Sequence, residues 1–237
     1  MDITHWPVLS ILILLPAIGA GLIFLIPWAE DFFPRVLALL IAVVNLLLSL
    51  ALFRAFNPAS AGMQFAERRD WIPDLGAGYS LGVDGISLFM VLITTFMVFL
   101  ALLSSWGEVE RRPGLFAGFI LLMEAGLLGI FLSMDLLLFY VFWEIMLVPM
   151  YFLIGLWGGE NRRYATIKLI IYTMGGSLLM LVAILSLYFF HHAQTGTYTF
   201  DIVQLYETSI PAYALLPMGF AFFVAFAVKS PLVPFHT

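Results

Sequence analysis

Seven runs of apolar residues, each long enough to cross a hydrocarbon layer as a helix, alternate with polar links along the chain. Such a layer is about 30 Å thick and needs about 20 helical residues. The runs are Val8 to Trp28, Val36 to Phe53, Gly85 to Trp106, Leu115 to Met134, Leu136 to Trp157, Ala165 to Phe190 and Tyr213 to Val233. Backbone N–H and C=O groups in lipid have no water to bond, so each run is predicted to be an α-helix that satisfies them internally. The predicted fold class is therefore all-α, a polytopic transmembrane helix bundle of about seven spans. The first run has no basic leader, is too long for a signal-peptide apolar segment and is followed at once by another span, so it reads as a span.

The polar interruptions are the loops. Phe56 to Tyr79, with Pro58, Gly62, Pro73 and Gly76, is the first long one, and His191 to Thr208 is the second. His191 and His192 are expected to be solvated there. The link at Ser133, Met134 and Asp135 is so short that spans four and five must form a tight antiparallel pair, with Asp135 placed to cap the fifth helix. Arg35, Arg111, Arg112, Arg162 and Arg163 collect on one side, with Lys168 just inside span six, whereas the other side carries Arg54, Arg68 and Arg69. The positive-inside rule makes the first side cytoplasmic and turns the N-terminus outward.

Composition agrees with the pattern: 63% of the 237 residues are hydrophobic and 11% charged, against about a quarter charged in soluble domains. Ten Lys and Arg in all speak against a nucleic-acid surface. The chain has no cysteine, which excludes disulfides, iron–sulfur ligation and thiolate metal sites within it. No cofactor and no metal are expected in this chain.

Chemistry is sought where charge is least expected. An ionisable side chain at bilayer depth costs at least a few kcal/mol, so it is a functional hypothesis by default. Glu124 in span four, Glu144 in span five, Lys168 in span six and Lys229 in span seven qualify. Glu144 lies eight residues past Leu136, about 12 Å into its helix at 1.5 Å per residue. Each has a plainer reading: Glu144 and Lys229 as a static ion pair, Lys168 as a residue snorkelling to the interface, Glu124 as a bond to a neighbouring helix. Asn45 in span two reads as interhelical glue. In FAVKSPLVPFHT, Pro231 and Pro234 follow Lys229 closely, and each removes an amide donor and clashes with the preceding turn. A broken helix is therefore predicted near Lys229, of the kind that lines a wet cavity at membrane depth. Gly175 and Gly176, followed by Ser177, allow close approach or flexing of span six.

The run LLLFYVFWEIMLVPMYFLIGLWGG with Glu144, then TIKLIIYTMGGSLLML with Lys168, then FAVKSPLVPFHT with Lys229 and His236, resembles the antiporter-like membrane subunits of respiratory complex I, the NADH:quinone oxidoreductase. The stretch YSLGVDGISLFMVLIT around Asp84 points to the M branch rather than to the L and N branches. The resemblance runs from about Tyr79 to the last residue. It divides the chain into residues 1–78, an N-terminal two-helix region with its loop, and residues 79–237, the first part of an antiporter-like domain. Members of the family have about twice as many helices, and the motif beginning at Lys229 normally continues beyond Thr237. The expectation is an N-terminal fragment of such a subunit.

The resemblance implies a proton-translocating subunit of an oxidoreductase that holds no redox cofactor itself. NADH, FMN, iron–sulfur clusters and quinone would belong to partner subunits, and the neighbours would be other membrane-arm subunits, including the L-type and N-type ones, in a bacterial inner membrane. It implies a relay in which Glu144 is the coupling carboxylate, Lys229 the amine whose charge toggles, Lys168 a secondary relay or input residue and Glu124 a weaker member. A subunit of an Mrp-type Na+/H+ antiporter shares the Glu and Lys motifs and is the rival reading. A non-catalytic membrane scaffold is the other.

Overall fold

The computed structural model describes residues 6–26, 32–60 and 62–235. The expected end of the first span at Trp28, and His236 of the last motif, lie outside the described residues. Among the described residues, seven helices are long and apolar enough to cross a membrane, and the chain is a multi-pass membrane protein. In order they are α1 (Val8–Leu25), α2 (Phe32–Ala55), α3 (Gly85–Ser104), α4 (Pro113–Leu132), the pair α5 (Leu136–Ile145) and α6 (Leu147–Trp157) forming one span, α7 (Arg162–Thr195) and α9 (Ala212–Lys229), with a single-turn α8 (Ile202–Leu205) before the last.

Local chemistry explains several boundaries. Asp84 begins α3 with a capping box: its carboxylate accepts from the Ile86 and Ser87 amides, while the Ser87 hydroxyl accepts from the Asp84 amide. Asp135 caps α5 as expected, accepting from the Leu137 and Leu138 amides at 2.9 and 3.0 Å. Pro231 has no N–H for the Ala227 carbonyl, so α9 stops at Lys229 and the Leu232 amide takes that acceptor at 2.9 Å instead.

The first long loop is not irregular. It folds as an antiparallel hairpin, β1 (Gln64–Ile72) with β2 (Ala77–Val83), turned by Pro73 and by Gly76 at φ 65°. Strand β2 crosses residues 78 and 79, where the sequence resemblance begins. The Glu67 carboxylate of β1 accepts from the Leu9 amide at 2.8 Å and the Ser10 amide, and also bonds the Ser10 hydroxyl, so the hairpin supplies the cap that Pro7 cannot. The second loop is also shorter than expected. Helix α7 continues through His191 and His192 to an αL cap at Gly196, so His191 is buried with its Nδ1 2.8 Å from the Thr208 hydroxyl, and His192 stacks on Tyr198. Neither is the solvated loop residue predicted, because the end of an apolar run marks the end of the lipid and not of the helix.

Hairpin, α4–α5 link and α7–α8 loop are sewn into one plate at this end of the bundle. Met134 N–H donates to Ser80 O, Leu136 N–H to Phe200 O, and Phe200 N–H to Gly76 O. A Cβ at Gly76 would strike the Tyr198 backbone, so glycine is required there by both conformation and space. Asp135 also accepts from the Gly78 amide at 2.9 Å. Burial pushes its carboxyl above the ordinary carboxylate range despite these amide donors, and the nearby Asp201 charge pushes the same way.

In lipid, helix association depends on close packing rather than on apolar transfer, which favours small residues at contacts. Helix α4 is the most buried span and the central one. Its Gly118 leaves room for Phe24 and Ile23 of α1, and its Gly129 faces the Phe142 ring of α5. The buried residues of α1, α4, β2 and α5 join one apolar cluster, and those of α5, α7 and α9 another.

Candidate functional site

The break foreseen near Lys229 is not seen there: α9 ends at that residue, and residues 230–235 run as turns without a second helical segment. Span five is the interrupted helix. Pro149 lacks the N–H that would bond the Ile145 carbonyl, so the ladder lapses by that one bond at Met146, between α5 and α6, while Met146 itself keeps helical torsions and donates to the Phe142 carbonyl at 3.1 Å. Glu144 sits two residues before that lapse, on the last turn of α5.

The structure gathers three of the four predicted residues on one side of α4. Glu144 lies near enough to Lys229 to act on it electrostatically, yet no ion pair joins them; among the described residues the ion pair is Arg68 with Asp201, 3.0 Å apart, in the hairpin plate. The Lys229 Nζ is buried without a hydrogen-bond partner among the described residues. It lies 4.9 Å from the centre of the Trp143 ring, a cation–π placement worth about 0.5–2 kcal/mol. Glu144 Oε1 is likewise buried and unpartnered. One turn before it, the Tyr140 hydroxyl interacts with both the Glu144 carboxylate and the Ser177 hydroxyl of α7.

A cavity of about 530 Å³ opens beside Lys229, between α6, α7 and α9, and Lys168 lines it too, together with Met146, Tyr172 and Pro231. Lys168 lies about 10 Å along α7 from the level of Lys229, its Nζ 5.8 Å from the Tyr164 ring. Gly176 fixes that level: a Cβ there would sit 3.2 Å from the Val228 Cβ, whereas Gly175 has open space. The glycine pair does permit the close approach of α7 and α9, through Gly176.

Glu124 stands apart. It is fully buried among α1, α2 and α4 and bonded to Asn45, and among the described residues no hydrogen bond or ion pair joins it to Glu144, Lys168 or Lys229. Sequence reasoning missed Trp143, Tyr140 and Pro149, and named Ser177 only for helix packing. Of these only Pro149, in the run LVPM, carried a local signal.

Residues 133–237 match the family model described as NADH:quinone oxidoreductase/Mrp antiporter, TM. NADH-quinone oxidoreductase subunit M of Pseudomonas aeruginosa is 41% identical over 97% of this chain and 48% of its own length. The chain belongs to this membrane-subunit family. The F(420)H(2) dehydrogenase subunit M of Methanosarcina mazei is 37% identical over 98% of the chain and 47% of its own length. Among solved structures, a chain of respiratory complex I from Thermus thermophilus with bound NADH superposes with a TM-score of 0.82 at 34% identity, covering 96% of this chain and 45% of that one. The chain thus spans about half the length of the curated relatives it matches. The matched segment holds Glu144, Lys168, Lys229 and the cavity between α6, α7 and α9.

Proposed function

We propose that this chain is part of a proton-translocating membrane-arm subunit of an NADH:quinone oxidoreductase, the M subunit, and that Glu144, Lys229 and Lys168 form its relay. The observation that carries the reading is the buried, unpartnered Lys229 amine, near Glu144 without pairing to it and facing a cavity shared with Lys168. A carboxylate and an ammonium in contact hold each other charged; drawn apart in apolar surroundings, each favours its neutral form. A change in their separation therefore loads or releases a proton. The helix interruption at Met146 lets Glu144 move with the end of α5, the Trp143 face steadies the charged state of Lys229, and Lys168 exchanges protons across the cavity. Electron transfer from NADH to quinone belongs to partner subunits with their FMN and iron–sulfur clusters. The membrane is the bacterial inner membrane, with the N-terminus and hairpin plate outward and Arg162 inward.

The test is NADH-driven proton uptake by inverted membrane vesicles, with assembly of the complex followed on a native gel. Glu144→Gln and Lys229→Ala should each leave the complex assembled and abolish pumping through this subunit, since neither replacement takes up and releases a proton near neutral pH. Glu144→Asp should retain part of the activity. Normal pumping by assembled Glu144→Gln complexes refutes the relay.

A further inference from the structure

Glu124 and Asn45 form a buried polar pair that the relay does not use. Both are 0% exposed. The Asn45 amide donates both of its hydrogens: Nδ2 lies 2.9 Å from Glu124 Oε1 and 3.2 Å from the Leu12 carbonyl oxygen of α1. The Leu12 carbonyl is an acceptor and so fixes which end of the amide faces it. Two atoms of the same pair are then left over, Asn45 Oδ1 and Glu124 Oε2, both buried and neither with a hydrogen-bond partner among the described residues. If the carboxyl is ionised, both are acceptors and nothing can join them. One proton on Oε2 turns it into a donor for Oδ1 and closes a cyclic acid–amide pair, in which every polar atom of the two side chains is satisfied.

We infer that Glu124 is held as a neutral carboxylic acid, locked to Asn45 in a proton-dependent clasp that binds α1, α2 and α4 together and takes no part in the relay. An ionised carboxylate here would leave Glu124 Oε2 and Asn45 Oδ1 unmatched in a dry interior, which penalises the charged form. One turn along α2, Ser49 bonds Thr95 of α3 at 2.8 Å, so the first four helices are stitched from a single face of α2. Helical geometry separates the clasp from the relay. Gly126 of α4 faces Met146 at the lapse in span five, and Glu124, two residues earlier, is turned about 200° away from it. The four-helix block is thus a fixed abutment for the elements that carry Glu144, Lys168 and Lys229.

The inference is tested on the assembled complex by infrared difference spectroscopy of wild type against Glu124→Gln. Wild type should show a carboxylic-acid C=O band that Glu124→Gln lacks and that survives alkaline buffer. The glutamine is nearly isosteric with the neutral acid: its Nε2 donates to Asn45 Oδ1 while its Oε1 accepts from Nδ2. It should therefore assemble and pump as wild type does. Asn45→Leu, which strands the carboxyl, should lower the thermal stability of the complex, and the double replacement Asn45→Leu with Glu124→Leu should restore much of it. A missing acid band, a band that bleaches in alkaline buffer or during turnover, or a Glu124→Gln complex that fails to assemble or to pump overturns the inference. The band and the assembly readouts do not depend on the relay being correct.

Discussion

The contact between α7 and α9 allows a paired prediction, because Gly175 and Gly176 are adjacent in sequence and opposite in surroundings. Alanine at either position removes the cost of glycine in a helix interior, a gain of about 1 kcal/mol. At Gly175 the new methyl meets nothing within 4 Å, so Gly175→Ala should be neutral to stabilising by that amount. At Gly176 the methyl would sit 3.2, 3.3 and 3.4 Å from the Cβ, Cγ2 and Cγ1 atoms of Val228. Val228 is β-branched, buried and fixed in the last turn of α9, so it yields only if the two helices part. Overpacking of this kind costs about 1–3 kcal/mol. Gly176→Ala should therefore end between neutral and about 2 kcal/mol destabilised, the difference of the two effects. The residue after Val228 is Lys229, so the same displacement should reduce pumping. Adding Val228→Ala removes the two opposing methyls while keeping the Cβ and should ease the clash, giving a favourable coupling of about 0.5–3 kcal/mol in a double-mutant cycle. Thermal denaturation of the purified complex measures the stabilities, and vesicle acidification the activity. Equal effects of the two glycine replacements, or a cycle with no coupling, refute the packing argument.

Three further outcomes follow from other parts of the structure. Burial raises the Asp135 carboxyl above its unfolded value, so its contribution to stability is complete below the ordinary carboxylate range and is lost as pH rises through the folded value; Asp135→Asn, which still accepts from Leu137 and Leu138, should flatten that loss in a pH series of thermal melts. Pro149→Ala should return an N–H to the Ile145 carbonyl and make span five continuous, lowering pumping with little change in assembly; unchanged pumping would detach the interruption from function. Cysteines introduced singly as Arg163→Cys and Thr197→Cys into this cysteine-free chain should react with an impermeant thiol reagent in intact cells at 197 and not at 163, and the reverse pattern would overturn the orientation.

The number of spans was legible in the sequence because the length and apolarity of a run meet a constraint set by the bilayer and not by the rest of the protein. The same locality made the Asp135 cap readable, since a cap acts within one turn. The hairpin was not readable: Glu67, Arg68, Arg69 and Asp70 interrupt the alternation of a strand, and β1 exists because β2 pairs with it and the N-terminus of α1 accepts Glu67 as a cap. The two histidines escaped for a related reason, as only the folded plate shows that His191 bonds Thr208 and His192 stacks on Tyr198. Among the intramembrane charges, sequence distinguished which residues were costly but not which were neighbours. Glu124 and Glu144 carry the same carboxyl at similar expense, and tertiary packing alone separated them, placing one against Asn45 and the other near Lys229. A side chain's type and depth are local properties of the chain, whereas its partner is decided by helices meeting from distant parts of it.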